Sequence, residues 1–360
     1  MPVDKRVGFA VLGLGRLSLE NILPAFAQAK KARPVALVSG SPDKAKTVAA
    51  QYGIKAEAIY SYDKFDEIRN NGEITAVYIF LPNAMHKEFV LRAAKAGKHI
   101  VCEKPMATSS ADAKEMVEGC RDAARLLMIA YRCQYEPYNR KVIELVRQGK
   151  YGTAKLIRAV NVQNMAAPEQ WRLKKSMAGG GSLPDVGIYC LNASRYVSGE
   201  EPVEIYARVA TTPNGLRFRE VEETVSFSMR FPSGLIADCG TSYGMHESRR
   251  LDVHTEAASF QLENAFAYEG QQFRVSHQDG KAESIDQIRL GQKDQFALEI
   301  DHMADCILNH RKPHSPGEEG TQDHVIMEAI YKSASTNRPV SLPRVEGKDV
   351  SRGLAPENES

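Results

Sequence analysis

A lysine with a restricted backbone stands at the end of an apolar run in the segment "HIVCEKPMA", residues 99–107. Open parallel α/β sheets bind their ligands at the carboxyl ends of the strands, so Lys104 would stand at such a site rather than in the core. Pro105 restricts the backbone of Lys104 to extended values and thereby fixes the direction of the ammonium. We therefore predict that Lys104 and the preceding Glu103 lie at a ligand-binding edge of a sheet.

A glycine-rich turn, "GLGRLS" at residues 13–18, closes the first apolar run and precedes a helical pattern. The first glycine permits the tight turn, the second lets a pyrophosphate approach the backbone, and the helix N-terminus offers N–H groups to the anion. The third position of this fingerprint is Ser18, where glycine or alanine is usual, so the match is partial. The turn predicts a dinucleotide site with contacts from Gly13, Leu14, Gly15, Arg16 and Leu17.

The end of the second apolar run favours NADP over NAD as the cofactor. Sites for NAD usually carry an Asp or Glu there to accept the ribose hydroxyls, and "VSGSPDKAK" has none at the strand end. Ser39, Gly40, Ser41 and Lys44 instead offer two hydroxyl groups, a helix N-terminus and a cation to a 2′-phosphate. In the alternative interpretation, Ser41 is the helix cap, with Pro42 at the first helical position, and Lys44 is solvated. Both interpretations can hold together, because a capping turn is itself an anion site.

Further cofactor contacts are predicted where other strands end. Asn83 and His86 follow the run "AVYIFLP", and Arg132 follows "LLMIAY". His86 could equally be an ordinary residue in the first turn of a helix. The prediction also includes cofactor contacts from Tyr62, Leu81, Pro82, Glu103 and Lys104.

Strand and helix patterns alternate over the first third of the chain. The apolar runs span 7–13, 34–40, 76–82, 98–103 and 126–131. The helical patterns span 43–52, 84–96, 109–124 and 136–148. Uniformly apolar strands are typical of sheets covered on both faces, so these segments predict a doubly wound parallel sheet, a Rossmann domain over residues 1–130.

The pattern changes after about residue 152, where apolar and polar residues begin to alternate. Strands with one packed and one solvated face are predicted over 153–165, 203–212, 222–231, 235–243, 251–263 and 271–277. Two helices are predicted at 294–310 and 321–336. We therefore predict a second, α+β domain over 131–342, built on a large, mostly antiparallel open sheet. Helix 294–310 would pack back on the first domain, and 343–360 would form a polar tail.

The composition excludes several classes of protein. Lys and Arg number 47 against 45 Asp and Glu, a net charge of +2 that argues against a nucleic-acid surface. No run approaches the roughly 18 apolar residues of a membrane span, and the N-terminus lacks the regions of a signal peptide. These features predict a cytoplasmic protein, or a periplasmic one only if a leader was removed.

The six Cys and nine His show no metal-ligand spacing, so we predict no metal site.

Long, unusual strings accompany the glycine turn and the EKP segment. They are "CEKPMATSSADAKEM", "YRCQYEPYNRKVIELVR" and "QWRLKKSMAGGGSLPDVGIYCLNASRY". With these strings the chain resembles, over nearly its whole length, the glucose–fructose oxidoreductase family, the Gfo/Idh/MocA group. The resemblance implies a Rossmann domain, then an α/β domain whose open sheet often builds a subunit interface. It also implies sugars as substrates and a homo-oligomer, either a dimer or a tetramer.

The resemblance implies a catalytic lysine in the E-K-P motif and a catalytic tyrosine in a D-x-x-x-Y motif, here Lys104 and Tyr189 with Asp185. Oxidation of the C1 hydroxyl of a cyclic aldose needs a hydride acceptor and a base, and Tyr189 would be the base. The ordinary pKa of tyrosine, about 10, is too high for this task, so the Lys104 ammonium would lower it. Asp185 would bind a neighbouring sugar hydroxyl or hold the lysine and tyrosine in place. The resemblance also implies a cis bond between Lys104 and Pro105.

The segment "QWRLKK" and the glycine run 179–181 supply further candidates. Trp171 beside Arg172 suits stacking on a sugar, although a buried anchor is the alternative, and both are also predicted to contact the cofactor. The glycine run would let the backbone approach a ligand or would serve as a flexible loop. His302 is a possible pocket-lining residue. The predicted substrate contacts are Lys104, Arg172, Lys175, Asp185, Tyr189 and Tyr243.

Four functions remain as hypotheses. The leading one is an oxidoreductase with tightly bound NADP that oxidises an aldose to an aldonolactone and reduces a second sugar, aldose or ketose, to the alditol. The alternatives are an ordinary NADP-dependent aldose 1-dehydrogenase with exchanging cofactor, an inositol or polyol dehydrogenase, and a dinucleotide-sensing regulator without chemistry. The retained Lys104, Asp185 and Tyr189 argue against the regulator, as does the lack of a DNA-binding motif.

Overall fold

The chain divides into two units, and a computed structural model describes residues 5–165, 167, 169–213 and 217–356. The first unit comprises Met1–Tyr135, Lys293–Gln322 and Ser351–Ser360. The second unit comprises Glu136–Gln292 and Asp323–Val350. The last residues of the predicted polar tail, 357–360, and the first four residues of the chain lie outside the described residues.

Six parallel strands form the sheet of the first unit, in the order β3-β2-β1-β4-β5-β6. They are β1 (Val7–Leu12), β2 (Ala32–Val38), β3 (Ile59–Tyr60), β4 (Ala76–Ile79), β5 (His99–Glu103) and β6 (Leu127–Ala130). Every residue of β1, β4 and β6 is buried, which is why these strands read as uniformly apolar runs. The order reverses between β1 and β4, as in Rossmann folds, and the predicted parallel sheet is confirmed. The two-residue strand β3 was too short to be predicted.

The α-helices of the described residues are, in chain order, α1 (Leu23–Ala25), α2 (Pro42–Tyr52), α3 (Asn83–Lys95), α4 (Ser110–Asp122), α5 (Pro137–Arg147), α6 (Lys175–Ala178), α7 (Ile188–Ser198), α8 (Gln295–Leu308) and α9 (Gly317–Thr336). Short 3₁₀ segments cover Ala56–Ala58, Phe65–Asn70, Arg132–Gln134 and Trp171–Leu173, and π-helical turns cover Ser18–Ile22 and Leu183–Gly187. None of these helices is both long enough and apolar enough to cross a membrane.

Local capping explains where several helices begin. The Ser109 side chain accepts a hydrogen bond from the Asp112 N–H at the start of α4, and the Asp294 carboxylate accepts two from Phe296 and Ala297 at the start of α8. Helix α8 lies in the first unit, as do its contacts with β1 and β2. Helix α9 begins four residues before the start predicted from the sequence, at Gly317.

Nine strands form the sheet of the second unit, in the order β14-β13-β12-β11-β7-β10-β9-β8-β15. They are β7 (Ala154–Asn164), β8 (Glu204–Ala210), β9 (Thr224–Arg230), β10 (Ile236–Ser242), β11 (Gly244–Thr255), β12 (Ala258–Glu263), β13 (Gln272–Asp279), β14 (Ala282–Ile288) and β15 (Val340–Ser341). All neighbouring pairs are antiparallel except β7 with β10, so the predicted mostly antiparallel sheet is confirmed. The single strand predicted over 251–263 is wrong: β11 and β12 form a hairpin there, because the apolar alternation continues on both sides of its turn.

A buried ion-pair network joins helices α7 and α9 within the second unit. The Arg195 side chain is fully buried, and its guanidinium donates to the Glu201 carboxylate at 2.7 and 2.6 Å and to the Asp323 carboxylate. Asn192 donates to the other Asp323 oxygen at 3.0 Å. Each buried charge of this network has a partner of opposite charge, which offsets the cost of burial. Removal of one charged side chain would leave a buried charge without its partner.

Candidate functional site

The glycine turn after β1 has the geometry of a phosphate cradle. Gly13 has φ +95°, and a Cβ there would lie 2.4 Å from the Phe80 carbonyl oxygen. A Cβ at Gly15 would meet no protein atom within 4 Å, so the backbone there is open to a ligand. Ser18 is fully buried, and its hydroxyl donates to the Gly13 carbonyl at 2.7 Å. The serine at the third fingerprint position therefore closes the turn with a hydrogen bond.

The flanking residues of this turn differ in exposure. Leu14 is buried and Leu17 is half-buried. Arg16 is exposed and its guanidinium pairs with the Glu20 carboxylate at 2.8 Å. The first turn of helix after the glycines is π-helical, Ser18–Ile22.

The segment that follows β2 contacts the glycine turn. The Lys44 ammonium, in the first turn of α2, donates a hydrogen bond to the Leu14 carbonyl oxygen at 3.4 Å. Ser41 occupies the N-cap position of α2, but its side chain makes no capping hydrogen bond. The Ser41 N–H donates to the Ser39 hydroxyl at 3.1 Å, and Ser39 is buried. The helix N-terminus, two hydroxyl groups and a cation therefore occupy one edge. The predicted N-cap position of Ser41, with Pro42 as the first residue of the helix, is confirmed.

Tyr62 covers the glycine of this segment. A Cβ at Gly40 would lie 3.2 Å from the Tyr62 ring, so a side chain at position 40 would push against it. Burial raises the pKa of the Tyr62 hydroxyl, which keeps the group neutral. The ring is held by an edge contact with Phe89 at 5.7 Å between centroids.

His86 lies beneath the ends of β4 and β5. Its ring is fully buried, with Nδ1 3.0 Å from the Pro105 carbonyl oxygen and Nε2 2.8 Å from the Leu81 carbonyl oxygen. Burial lowers the pKa of the imidazole, so the neutral ring donates to one carbonyl at a time. His86 therefore positions the Leu81 and Pro105 segments, and its contact with the cofactor stays a prediction.

Pro82 and Asn83 lie at the N-terminus of α3. Pro82 occupies its N-cap position, and Asn83, its first residue, is buried with 5% of its surface exposed. The first turn of α3 thus begins directly after β4, where the sequence predicted cofactor contacts.

Lys104 and Glu103 form the end of β5. Lys104 is half-buried and its bond to Pro105 is cis, as the resemblance implied. Glu103 accepts a long hydrogen bond, 3.4 Å, from the Tyr78 hydroxyl. Burial raises the pKa of Glu103 to about 7, against the opposing charges of Lys104 and Arg132. This carboxyl group can therefore change its charge near neutral pH beside the lysine.

Arg132 follows β6 and is 5% exposed. Its guanidinium donates to the Gln295 side-chain oxygen at 2.5 Å and lies 5.9 Å from the centre of the Phe296 ring. Both partners belong to the first turn of α8, so the arginine is held by a helix distant in sequence.

His302 also lies in the first unit, on α8. Its Nε2 accepts a hydrogen bond from the His314 N–H at 2.9 Å, and its ring contacts Tyr135 at 5.1 Å between centroids. These contacts give His302 a packing role within the unit.

Asp185 is the centre of a polar cluster in the second unit. Its carboxylate accepts a hydrogen bond from the Tyr243 hydroxyl at 2.7 Å and pairs with the Arg172 guanidinium at 3.1 Å. Arg172 also lies over the Trp171 ring, 4.5 Å from its centre. The Asp185 carboxylate raises the pKa of Arg172, while burial and the same carboxylate raise the pKa of Tyr243 well above its ordinary value. The structure thus brings together four of the residues singled out from the sequence.

Tyr189 stands four residues after Asp185, at the second position of α7. Asp185 itself lies in the π-helical turn Leu183–Gly187 that leads into this helix. The Tyr189 ring is half-buried and lies 5.9 Å from the Phe266 ring. Single π-helical turns inside helices occur frequently at functional sites.

Glu222 holds the turn that precedes Asp185, and no sequence motif points to this residue. Its carboxylate accepts hydrogen bonds from the Gly181 N–H at 2.8 Å, the Leu183 N–H at 3.0 Å and the Tyr331 hydroxyl at 3.0 Å. A Cβ at Gly181 would lie 2.0 Å from the Glu222 carbonyl oxygen, and one at Gly180 would lie 2.1 Å from the Tyr331 hydroxyl. Gly180 and Gly181 therefore allow close packing at positions where a larger side chain would clash with Tyr331 and with the Glu222 backbone.

Lys175 is exposed and lines a cavity of about 510 Å³ within the second unit. The cavity is lined by Lys175, Gly179, Gly180, Val209, Glu220, Val221, Glu222, Tyr331, Ala334 and Ser335. This set includes neither Asp185 nor Tyr189, and the substrate contact of Lys175 stays a prediction.

The fold and the glycine turn define a dinucleotide-binding protein of the Rossmann class. Residues 7–131 match a model described as an oxidoreductase family with an NAD-binding Rossmann fold, and residues 139–261 match a GFO/IDH/MocA C-terminal domain. The chain therefore belongs to the GFO/IDH/MocA oxidoreductase family, which confirms the resemblance seen in the sequence.

Individual relatives cover nearly the whole chain. The solved aldose-aldose oxidoreductase of Caulobacter crescentus, complexed with glycerol, is 41% identical with a TM-score of 0.90, over 94% of this chain and 100% of that one. The D-xylose 1-dehydrogenase [NADP(+)] of Haloarcula marismortui is 32% identical over 94% of each chain. A levoglucosan dehydrogenase in complex with NADH and L-sorbose, 21% identical, shares the fold with a TM-score of 0.84 over 95% of this chain and 100% of that one.

Proposed function

We propose that the chain is a sugar oxidoreductase with tightly bound NADP, which oxidises the C1 hydroxyl of cyclic aldoses to aldonolactones. In the second half of the reaction it reduces another sugar, aldose or ketose, to the alditol. The observation that carries this proposal is the 41% identity, over 94% of the chain, with an aldose-aldose oxidoreductase. The 32% identical D-xylose 1-dehydrogenase [NADP(+)] supports oxidation at C1 with NADP.

The first unit fits NADP at the ends of β1 and β2. Gly13 permits the tight turn, Gly15 leaves the backbone open to a pyrophosphate, and Ser39, Ser41 and Lys44 would hold the 2′-phosphate. No carboxylate stands at the end of β2 to repel that phosphate. When bound, the nicotinamide supplies the acceptor and donor of the hydride.

The catalytic roles follow from the chemistry of each residue. Tyr189 would take the proton of the C1 hydroxyl during oxidation and return a proton during reduction. The Lys104 ammonium, at the end of β5, would hydrogen-bond the reacting oxygen and favour the negative charge that develops there. Asp185, held by Tyr243 and Arg172, would bind a sugar hydroxyl and so orient the ring.

The claim that NADP stays bound while one sugar is oxidised and another is reduced is tested without adding cofactor. The purified protein should contain NADP(H), detected by mass and by absorbance, and should convert an aldose pair such as xylose and glucose into equal amounts of lactone and alditol. If turnover requires stoichiometric free NADP, the chain is an ordinary aldose 1-dehydrogenase with exchanging cofactor. Oxidation of inositol but of no aldose would overturn the choice of substrate.

Two variants test the residues. Lys104→Ala and Tyr189→Phe should each lose most turnover, by about 10²-fold or more, while retaining bound cofactor. Tyr206→Phe is the matched control, since the Tyr206 hydroxyl donates to the Asn337 side chain and accepts a hydrogen bond from Arg208 at exposed positions of the second unit. Unchanged turnover in Tyr189→Phe would remove this tyrosine from the proposed mechanism.

We further propose that the chain forms a homo-oligomer through the open face of the second sheet. On β7 the side chains of Ile157 and Ala159 are buried, whereas Val160 is 36% exposed, and Ile236 on the neighbouring β10 is 42% exposed. The molecular mass measured by light scattering should be that of a dimer or tetramer. The Ile236→Lys substitution should shift this mass towards that of the monomer.

A further inference from the structure

Two carboxyl groups of the first unit share one tyrosine hydroxyl. The Tyr78 hydroxyl lies 2.8 Å from Glu299 Oε2 and 3.4 Å from Glu103 Oε1. Tyr78, on β4, and Glu299, on α8, are fully buried. Because a hydroxyl has one proton, Tyr78 can donate fully to only one of the two carboxyl groups at a time.

The two carboxyl groups have unequal surroundings. Glu299 Oε1 is buried and has no hydrogen-bond partner among the residues that the structure describes. Glu103 accepts a hydrogen bond from the Lys104 backbone N–H and faces the charges of Lys104 and Arg132. An ionised carboxylate with an unpaired buried oxygen is strongly disfavoured, whereas one beside two cations is tolerated. The neutral acid is therefore Glu299, and the negative charge resides on Glu103.

The other titratable groups around this pair agree with that assignment. They are Tyr78 on β4, Cys102 and Lys104 at the end of β5, and Arg132 and Tyr135 after β6. Burial raises the pKa of Tyr78, Cys102 and Tyr135 well above their ordinary values, so these three groups stay neutral. Burial and the charge of Glu103 likewise raise the pKa of Glu299 well above its ordinary value.

We propose that Glu103 and Glu299 form a carboxyl pair that carries a single negative charge, held on Glu103 beside Lys104 by the Tyr78 hydroxyl and the neutral Glu299 acid. Tyr78 and Glu299 are then positioning residues that set the pH range in which the charged Glu103 supports Lys104. The kinetic part of this inference rests on the proposed function, whereas the protonation state of the pair does not.

Infrared spectroscopy of the full-length protein tests the protonation state without any turnover. At about pH 8.5, well above the ordinary carboxyl range, the wild type should keep a carbonyl band of a protonated carboxyl group that is absent in Glu299→Gln. A second such band should appear as the pH falls through about 7 and should be missing in Glu103→Gln. A wild type without a protonated carboxyl band at the higher pH overturns the proposal, even if no sugar is ever turned over.

The pH profile of kcat/KM tests the positioning role. The wild type should lose activity below about pH 7, as Glu103 is neutralised. Tyr78→Phe, which preserves the ring, removes a hydrogen bond to the charged form and should move this acid limb upward by about half a pH unit. Glu299→Gln should leave the limb in place, because an amide replaces a neutral acid, whereas a downward shift would show that Glu299 is charged and would refute the assignment.

Tyr60→Phe is the control for the tyrosine substitution. Tyr60 lies in β3 of the same unit, and its hydroxyl accepts a hydrogen bond from the Asn71 side chain at 3.2 Å. The acid limb of this variant should match that of the wild type. An equal shift in both tyrosine variants would assign the effect to general destabilisation and would overturn the role of Tyr78.

Discussion

Glu222→Gln should loosen the turn that carries Asp185. The carboxylate of Glu222 is buried and accepts hydrogen bonds from two backbone N–H groups, those of Gly181 and Leu183, and from the Tyr331 hydroxyl. Glutamine has nearly the same shape but replaces one acceptor oxygen by an NH₂ group, which is a donor. Whichever way the amide is oriented, at least one buried N–H group then faces another donor.

The expected cost follows from that mismatch. A buried N–H group left without an acceptor costs about 1–3 kcal/mol, and the surviving bonds lose the assistance of the charge. We therefore expect the free energy of unfolding of the second unit to fall by about 2–4 kcal/mol. Because Asp185 and Tyr189 follow this turn directly, kcat should fall more than the affinity for NADP.

Urea unfolding followed by circular dichroism measures the first effect, and steady-state kinetics the second. Glu220→Gln is the matched control, since the exposed Glu220 accepts only the Lys175 N–H, at 3.2 Å, and should change stability by less than about 0.5 kcal/mol. The reasoning fails if Glu222→Gln and Glu220→Gln have the same unfolding midpoint. A double-mutant cycle with Tyr331→Phe should show coupling, because both substitutions act on one hydrogen bond.

Three further substitutions test other parts of the structure. Ser39→Asp places a carboxylate at the end of β2 and should weaken NADP binding by about tenfold or more in a fluorescence titration; unchanged affinity would show that the 2′-phosphate lies elsewhere. Arg195→Met leaves the Asp323 and Glu201 carboxylates buried without their cation and should cost about 3–5 kcal/mol in urea unfolding, against no loss if the network contributes nothing. Glu103 has a pKa raised from 4.5 to about 7, so its contribution to stability is complete below pH 4.5 and is lost as the pH rises through about 7. Glu103→Gln should remove that pH dependence, and an unchanged pH–stability curve would contradict the raised pKa.

The sequence by itself determined the local features of the first unit. Strands β1, β4 and β6 are buried along their whole length, so their apolar runs could be recognised without tertiary information. The glycine turn and the lysine–proline pair were equally visible, because a positive φ at Gly13 and a restricted backbone before Pro105 depend on residue type. The hairpin of β11 and β12 was missed, since alternation alone does not show where a strand turns.

Only the tertiary structure decided which polar side chains meet. Tyr78 and Glu299 are separated by 221 residues along the chain, and Tyr331 and Glu222 by 109. Neither Glu299 nor Glu222 lies in a sequence motif, because the roles of these two side chains come from burial and from the partners that the fold brings to them. The fold likewise decides what His86 faces, because both of its ring nitrogens lie against backbone carbonyl groups of the protein. Residue type fixes what a side chain can donate or accept, but burial and long-range packing fix what it faces and therefore its charge.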